Sequence, residues 1–190
     1  MRIGITGWAT SGKDEVANVL EREFGFMKVS WAHELRRDIE ILNPIVSVTR
    51  PIRYADAVRK HGYVEAKVLF PELRRLLQVY GTDVHRTVDE NYWIHRTLAK
   101  IPEGVSTVFP DTRFPNEAEE MDFVIGVRRP GVKAVNEHAS DAGLAFPYVT
   151  AWIENSGTLE DLRFQTISTY RWILAHRDDD GPVPTNPRLV

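Results

Sequence analysis

Cysteine is absent from all 190 residues. That excludes disulfides, thiolate metal sites and thiol catalysis, and it suits a reducing compartment such as the cytoplasm. No apolar run approaches the roughly 20 residues of a membrane span. The N-terminus leads straight into a short apolar segment, so neither a signal peptide nor a membrane anchor is expected. An excess of charge of either sign is missing: 24 Lys and Arg against 27 Asp and Glu leave a formal net charge of −3, which gives no basic field to recruit a nucleic-acid polymer. Internal repeats are missing. His33, His61, His85, His95 and His176 show no triad or metal spacing. His138 and Asp141 lie close enough in sequence to share a metal, but two groups make a weak site, and loop structure is the expectation there.

What is present begins at once. Met1 to Val19 reads MRIGITGWATSGKDEVANV. An apolar run (Ile3 to Ile5) is followed by Gly7, four residues, Gly12 and Lys13, and then by helical spacing. This is the layout of a phosphate-binding loop between a buried strand and a helix. Glycines let backbone N–H groups turn inward around a phosphate, and the helix N-terminus adds partial positive charge. Lys13 would reach the outer phosphates. The position after this lysine, usually Ser or Thr for magnesium, is Asp14. The alternative is an ordinary glycine turn ahead of a helix.

Val16, Ala17, Leu20 and Phe24 form one apolar helical face, with Gly25 placed to end it. Phe26 to Ser30 reads as a second strand. Ala32, Leu35, Ile39 and Leu42 mark a second helix that stops before Pro44. Residues 43–53 read as a loop, and Tyr54 to Leu69 as helix broken near Gly62. Pro71 opens a helix whose Leu73, Leu76, Leu77 and Tyr80 form a core stripe. Arg74, Gln78 and Gly81 flank that stripe, while Arg75 points outward. Thr87 and Glu90 could cap the helix carrying Trp93, Ile94 and Leu98. Strands are expected at Val105–Pro110, Phe123–Val127 and Val149–Ile153. A last helix is capped by Thr158 and Asp161, with Leu159, Leu162, Tyr170, Ile173 and Leu174 facing inward.

Five short apolar strands alternating with helices predict an α/β fold: a three-layer α/β/α arrangement around a five-stranded parallel sheet. The expected organisation is one domain over 1–176, with 43–70 as a substrate-covering insertion, 128–147 as a lid-like loop and 177–190 as a flexible tail. Ligands bind at the carboxyl ends of such strands. Three polar clusters fall there: Gly7 to Asp14, then Asp111 with Arg113, then Arg128 with Arg129. Lys13 and the arginines supply cations, and Asp14 and Asp111 supply carboxylates for a metal. That inventory suits a phosphorylated nucleotide with magnesium. Each cluster also has a plain structural reading: a loop ion pair for Asp111 and Arg113, exposed strand-end charges for Arg128 and Arg129, a solvated helix residue for Arg36 and a core residue for Trp93.

With these residues in hand, the chain resembles the bacteriophage deoxynucleoside monophosphate kinases, a family similar to P-loop nucleoside monophosphate kinases. The similar segments are GWATSGKDEVA, RRLLQVYGTD with NYW shortly after, PDTR, VRRPG, HASDAGL and ENSGTLEDL, in the family's order. Aspartate after the lysine also belongs to that pattern.

The resemblance implies transfer of the γ-phosphoryl of ATP, with Mg2+, to a deoxynucleoside 5′-monophosphate, for phage DNA precursor supply in the host cytoplasm. It implies that Gly7, Trp8, Ala9, Thr10, Ser11, Gly12, Lys13, Asp14 and Glu15 hold ATP. Ala32, Leu35, Arg36, Arg74, Gln78, Gly81, Trp93, Asp111 and Arg113 match acceptor-site segments. Lys13, Arg113 and Arg129 would be catalytic, and Asp14 and Asp111 would serve the metal. Glu15 departs from the pattern, standing where Thr is common, and Arg128 replaces an apolar residue. By analogy with the family a homodimer is expected, with no nucleic-acid polymer and no membrane as partner. Two rivals stay open: a dephospho-coenzyme A kinase-like enzyme, and a nucleotide-binding regulatory module without catalysis.

Overall fold

The computed structural model describes residues 1–133 and 145–176. The chain opens with β1 (Arg2–Thr6), α1 (Lys13–Phe24) and β2 (Met27–Lys28). Then come α2 (Ala32–Leu42), the short strands β3 (Ile45–Ser47) and β4 (Ile52–Arg53), and the helices α3 (Tyr54–His61), α4 (Tyr63–Leu69) and α5 (Pro71–Gln78). A π-helix (Val79–Arg86) continues from α5, and α6 (Tyr92–Leu98) follows. The remainder is β5 (Thr107–Phe109), α7 (Pro115–Glu119), β6 (Phe123–Arg128), a 3-10 turn (Phe146–Tyr148), β7 (Ala151–Glu154) and α8 (Leu159–His176). His138, Asp141, the HASDAGL segment and the tail lie outside the described residues.

Two compact units emerge, one from Met1–Ser30 with the chain from Ile101 onward, the other from Trp31–Lys100. The first contains the expected five-stranded parallel sheet, in the order β2-β5-β1-β6-β7. Ile5 lies opposite Ile125, and Gly4 opposite Phe109. Strand alternation divides the side chains between two layers. Ile3, Ile5, Val108, Ile125, Val127 and Ile153 pack with Val16, Ala17 and Leu20 of α1 and Leu162 and Ile173 of α8. On the other face Val124 meets Ala118 of α7, with Val149 and Trp152. Trp152 lies flat over Gly126, where a Cβ would come within 2.4 Å of its ring.

The second unit is helical, with a core of Ile39, Val46, Tyr54, Ala57, Ala66, Leu73 and Leu77. Burial of Leu73 and Leu77 bears out the stripe read from the sequence. Arg75 points outward, as expected, and is tied to Glu72 at 2.6 Å.

Several local expectations need correction. Residues 43–53 are not simply loop: β3 and β4 pair antiparallel, putting Val46 into the core. Strands this short carry almost no alternation to read. Thr87 does not cap α6. Its hydroxyl instead donates to the Asp83 and Val84 carbonyls at 2.7 and 3.0 Å, closing the π-helix, and α6 starts after Asn91. The last strand begins at Ala151 rather than Val149, because the segment through Pro147 turns as a 3-10 helix. Leu42, Leu159 and Leu174 are exposed. On α8, Thr166 and Thr169 take buried positions instead, and the Thr166 hydroxyl is satisfied by the Leu162 carbonyl at 2.7 Å. Thr158 and Asp161 do form a capping box: the Thr158 N–H donates to the Asp161 carboxylate at 2.8 Å and the Asp161 N–H to the Thr158 hydroxyl at 3.2 Å.

Candidate functional site

All five parallel strands point their carboxyl ends to one edge of the sheet. At that edge β1 sits between β5 and β6. The chain leaving β1 reaches β2 on one side, whereas the chain leaving β6 reaches β7 on the other. Such a reversal opens a crevice at the strand ends. The segments Gly7–Glu15, Asp111–Arg113 and Arg128–Arg129 all emerge there, each following its own strand.

The loop after β1 has the backbone its glycines foretold. Gly7 and Gly12 have φ of 146° and 106°, and Thr10 is left-handed at 67°. Neither glycine tolerates a side chain. A Cβ on Gly7 would fall 2.3 Å from the Val127 carbonyl oxygen, and one on Gly12 would fall 2.5 Å from the Asn155 side-chain nitrogen. Lys13 folds back across the loop, its ammonium donating to the Gly7 and Trp8 carbonyls at 2.7 Å each. Trp8 packs edge-on against Phe146 with ring centroids 4.8 Å apart. Asp14 is exposed, in the first turn of α1, with Lys28 at 3.8 Å. Glu15 faces Arg22 at 2.9 Å and Asn18 at 3.1 Å.

Three residues without a role assigned from sequence belong to this framework. Asn155, just after β7, donates to the Ser11 carbonyl at 2.8 Å and so braces the loop from the far strand. Its place in the ENSGTLEDL segment was the available signal. Ser30, just after β2, donates to the Asp111 carboxylate at 2.7 Å. Glu117 is buried, and its carboxylate accepts the N–H groups of Arg113 and Phe114 at 2.7 and 3.2 Å, fixing the backbone that presents Arg113. Arg113 and Arg129 are exposed at the carboxyl edge. Arg128 is engaged elsewhere: its guanidinium lies 3.7 Å over the Trp152 ring, with Glu154 at 3.6 Å.

The remaining residues singled out in the sequence all belong to the second unit. Ala32, Leu35 and Arg36 ride on α2, Arg74 and Gln78 on α5, Gly81 on the π-helix and Trp93 on α6. Gly81 and Leu35 are in close contact, since a Cβ on Gly81 would come within 2.7 Å of Leu35 Cδ2. Trp93 is buried, and its indole N–H donates to the Gly81 carbonyl at 2.8 Å. Its ring therefore shapes the Gly81 backbone from inside. Arg36 sits 5.3 Å over the Tyr63 ring. Among the described residues no group of three or more His, Asp or Glu could hold a metal, and no helix is long and apolar enough to cross a membrane.

Glu34, between Ala32 and Leu35 in sequence, is 2% exposed and is met by Lys100 at 2.6 Å and Arg96 at 3.2 Å. Burial alone would raise its carboxyl. The Lys100 ammonium overcomes this, with help from Arg96 and His33, and holds the group below the ordinary value of 4.5. A depressed carboxyl contributes stability that is complete above 4.5 and lost as pH falls through the lower folded value. Glu34→Gln should therefore melt earlier than wild type near neutrality, and the gap should close as pH drops below 4.5. Melting curves across that range check this, and a gap independent of pH would contradict it.

A family model described as deoxynucleotide monophosphate kinase matches residues 55–166, more than half of the chain. The chain belongs to this family. The match takes in Arg74, Gln78, Gly81, Trp93, Asp111, Arg113 and Arg129, whereas the Gly7–Lys13 loop precedes it. A deoxynucleotide monophosphate kinase of Enterobacteria phage T4 is 35% identical over 100 residues, 47% of this chain and 42% of that protein. The Escherichia phage RB69 protein of the same description is 32% identical over 100 residues, 47% of this chain and 41% of its own. The chain thus spans about two-fifths of the length of these phage relatives. A protein of Acanthamoeba polyphaga mimivirus, provisionally given the same description, is 25% identical over 190 residues, 87% of this chain and 94% of that protein.

Proposed function

We propose that the chain transfers the γ-phosphoryl group of ATP to a deoxynucleoside 5′-monophosphate, giving the diphosphate and ADP. The observation that carries this reading is the meeting of the Gly7–Lys13 loop, Asp111 with Arg113, and Arg129 at one edge of the sheet, in a chain whose family match runs through the second and third of these segments. A phosphate oxygen of the acceptor attacks the γ-phosphorus, and the bond to the β–γ bridging oxygen breaks. Such a transfer needs positioning and charge stabilisation more than a nucleophilic side chain.

Lys13 leaves its two carbonyl partners to meet the donor phosphates, while Arg113 and Arg129 stabilise charge on the moving group. Gly7 and Gly12 keep the loop backbone open to phosphate, because any side chain there would strike the sheet or Asn155. Trp8, Ala9, Thr10 and Ser11 complete the loop between them. The acceptor is held by Arg36 and Arg74, with Ala32, Leu35, Gln78 and Gly81 shaping its pocket and Trp93 supporting Gly81. Asp111, oriented by Ser30, serves the acceptor side or the metal.

The carboxylates suit magnesium, which takes one or two protein oxygens and keeps waters and phosphate oxygens for the rest of its shell. Asp14 and Asp111 would supply those oxygens, and the ion would neutralise charge on the β- and γ-phosphates. The biological setting is deoxynucleotide supply for viral DNA in the host cytoplasm, with ATP and the monophosphate as partners, no polymer or membrane, and a homodimer as the working form.

Transfer of label from γ-labelled ATP tests the reading. Label in a deoxynucleoside diphosphate is expected; label appearing only as inorganic phosphate would contradict it. On the acceptor side, Arg74→Ala should raise the monophosphate KM by between about 10- and 100-fold, the worth of one charge-assisted hydrogen bond. The KM for ATP should stay near wild type. Equal rises in both would remove Arg74 from the acceptor site.

A further inference from the structure

We infer that Arg96 is a positioning residue for the acceptor nucleotide, holding α2, α6 and the π-helix in the one arrangement that lets Leu35, Arg36 and Gly81 meet the monophosphate together. The inference rests on the proposed phosphoryl transfer and concerns a residue with no role in it so far.

The guanidinium of Arg96 joins α2 to its own helix, and two rings carry the link on to a third element of the unit. Toward α2 it makes a two-pronged contact with Asp38, at 2.5 and 3.0 Å, and a further bond to Glu34 at 3.2 Å. Within α6 it donates to the Tyr92 hydroxyl at 3.1 Å and lies over the Tyr92 and Trp93 rings at 5.5 and 5.6 Å. Those two rings carry the hold into the π-helix. Tyr92 stacks on His85 at 4.4 Å, and Trp93 donates to the Gly81 carbonyl at 2.8 Å. Lys100 closes the set on Glu34.

Burying a carboxylate and binding a guanidinium against it is a costly way to join helices. Apolar side chains of similar volume do it as well or better. What the charged lattice adds is direction, since a planar fork accepts a carboxylate in one orientation. Direction matters here because Glu34 immediately precedes Leu35 and Arg36, and Leu35 lies directly against Gly81. A small shift of α2 would move Leu35 off Gly81 and carry Arg36 with it, and misplacement by about 1 Å can cost on the order of 10²-fold in rate.

The experiment is steady-state kinetics of full-chain Arg96→Met and Arg96→Lys, with ATP and whichever of dGMP, dTMP, dCMP and dAMP wild type uses. Arg96→Met removes fork and charge but keeps the stem. It should raise the monophosphate KM about 10-fold or more, leaving the ATP KM within about twofold. Arg96→Lys, which keeps charge but loses the fork, should fall between it and wild type; if the methionine variant does not fold, this variant is the readout. A merely structural role would lower the active fraction, and with it kcat, at unchanged KM values. That pattern, or a parallel rise in both KM values, overturns the inference while leaving the transfer reaction standing. A wild-type chain that transfers to no monophosphate overturns both.

Discussion

Lys13→Ala is expected to lower turnover by on the order of 10²-fold or more at saturating ATP and monophosphate, the usual scale for removing a charge that stabilises a transferring phosphoryl group. The Lys13 ammonium holds two loop carbonyls at 2.7 Å, so the same substitution also removes a staple from the loop. The two roles separate by measurement. Loss of the staple alone would weaken ATP binding and lower Tm, yet turnover would recover at high ATP. Loss of the phosphate contact persists at saturation. Near-normal kcat at saturating ATP would refute the assignment of Lys13 to the donor phosphates.

The second large effect is expected at Gly7. Its φ of 146° is strained for any side chain, and its Cβ would be 2.3 Å from a backbone oxygen of β6. Backbone in the middle of a sheet cannot swing aside as a side chain can. Gly7→Ala should therefore displace the loop and reduce ATP affinity by about 10²-fold or more, judged by the tight dependence of phosphate sites on loop geometry. Gly25 is the control. It too is left-handed, at 72°, but a Cβ there meets nothing within 4 Å. Gly25→Ala should cost only about 1–2 kcal/mol of stability, the strain of a left-handed residue, and leave ATP binding intact. Calorimetric titration with ATP beside thermal melts distinguishes the two. ATP affinity in Gly7→Ala within a few-fold of wild type would contradict the loop account.

The contrast between these glycines shows what a sequence makes legible. The turn at Gly7, Gly12 and Lys13 could be read because it is local: strand, turn and helix are contiguous, and each leaves its own spacing. Leu73 and Leu77 were legible for the same reason, since a 3.6-residue period survives in one dimension. The five strands could be found as apolar runs, and their parallel pairing followed from the helices between them.

Contacts between distant segments could not be read that way. Nothing near Asn155 says that its amide reaches Ser11, 144 positions earlier. Nothing in the spacing of Glu34, Asp38 and Arg96 sets them apart, and only the packing of α2 against α6 makes them a lattice. The π-helix was hidden because one added residue per turn has no marker in side-chain spacing. Its effect is visible at Gly81, whose carbonyl meets the Trp93 indole. Trp93 reads in the sequence as a core residue or a ligand contact; the structure buries it and bonds its indole N–H to Gly81. The burial of Thr166 and Thr169 on α8 has no mark in the apolar pattern, since threonine counts as polar there and only the fold supplies the Leu162 carbonyl that takes the Thr166 hydroxyl.

The proposed activity is transfer of the γ-phosphoryl group of ATP to a deoxynucleoside monophosphate. Its most direct measurement is ADP release by the full chain with ATP and magnesium, in the presence of dGMP, dTMP, dCMP, dAMP or dephospho-coenzyme A in turn. ADP release that depends on one or more of the deoxynucleoside monophosphates is the predicted result. Release with dephospho-coenzyme A alone, or ATP binding with no acceptor-dependent release at all, would contradict it.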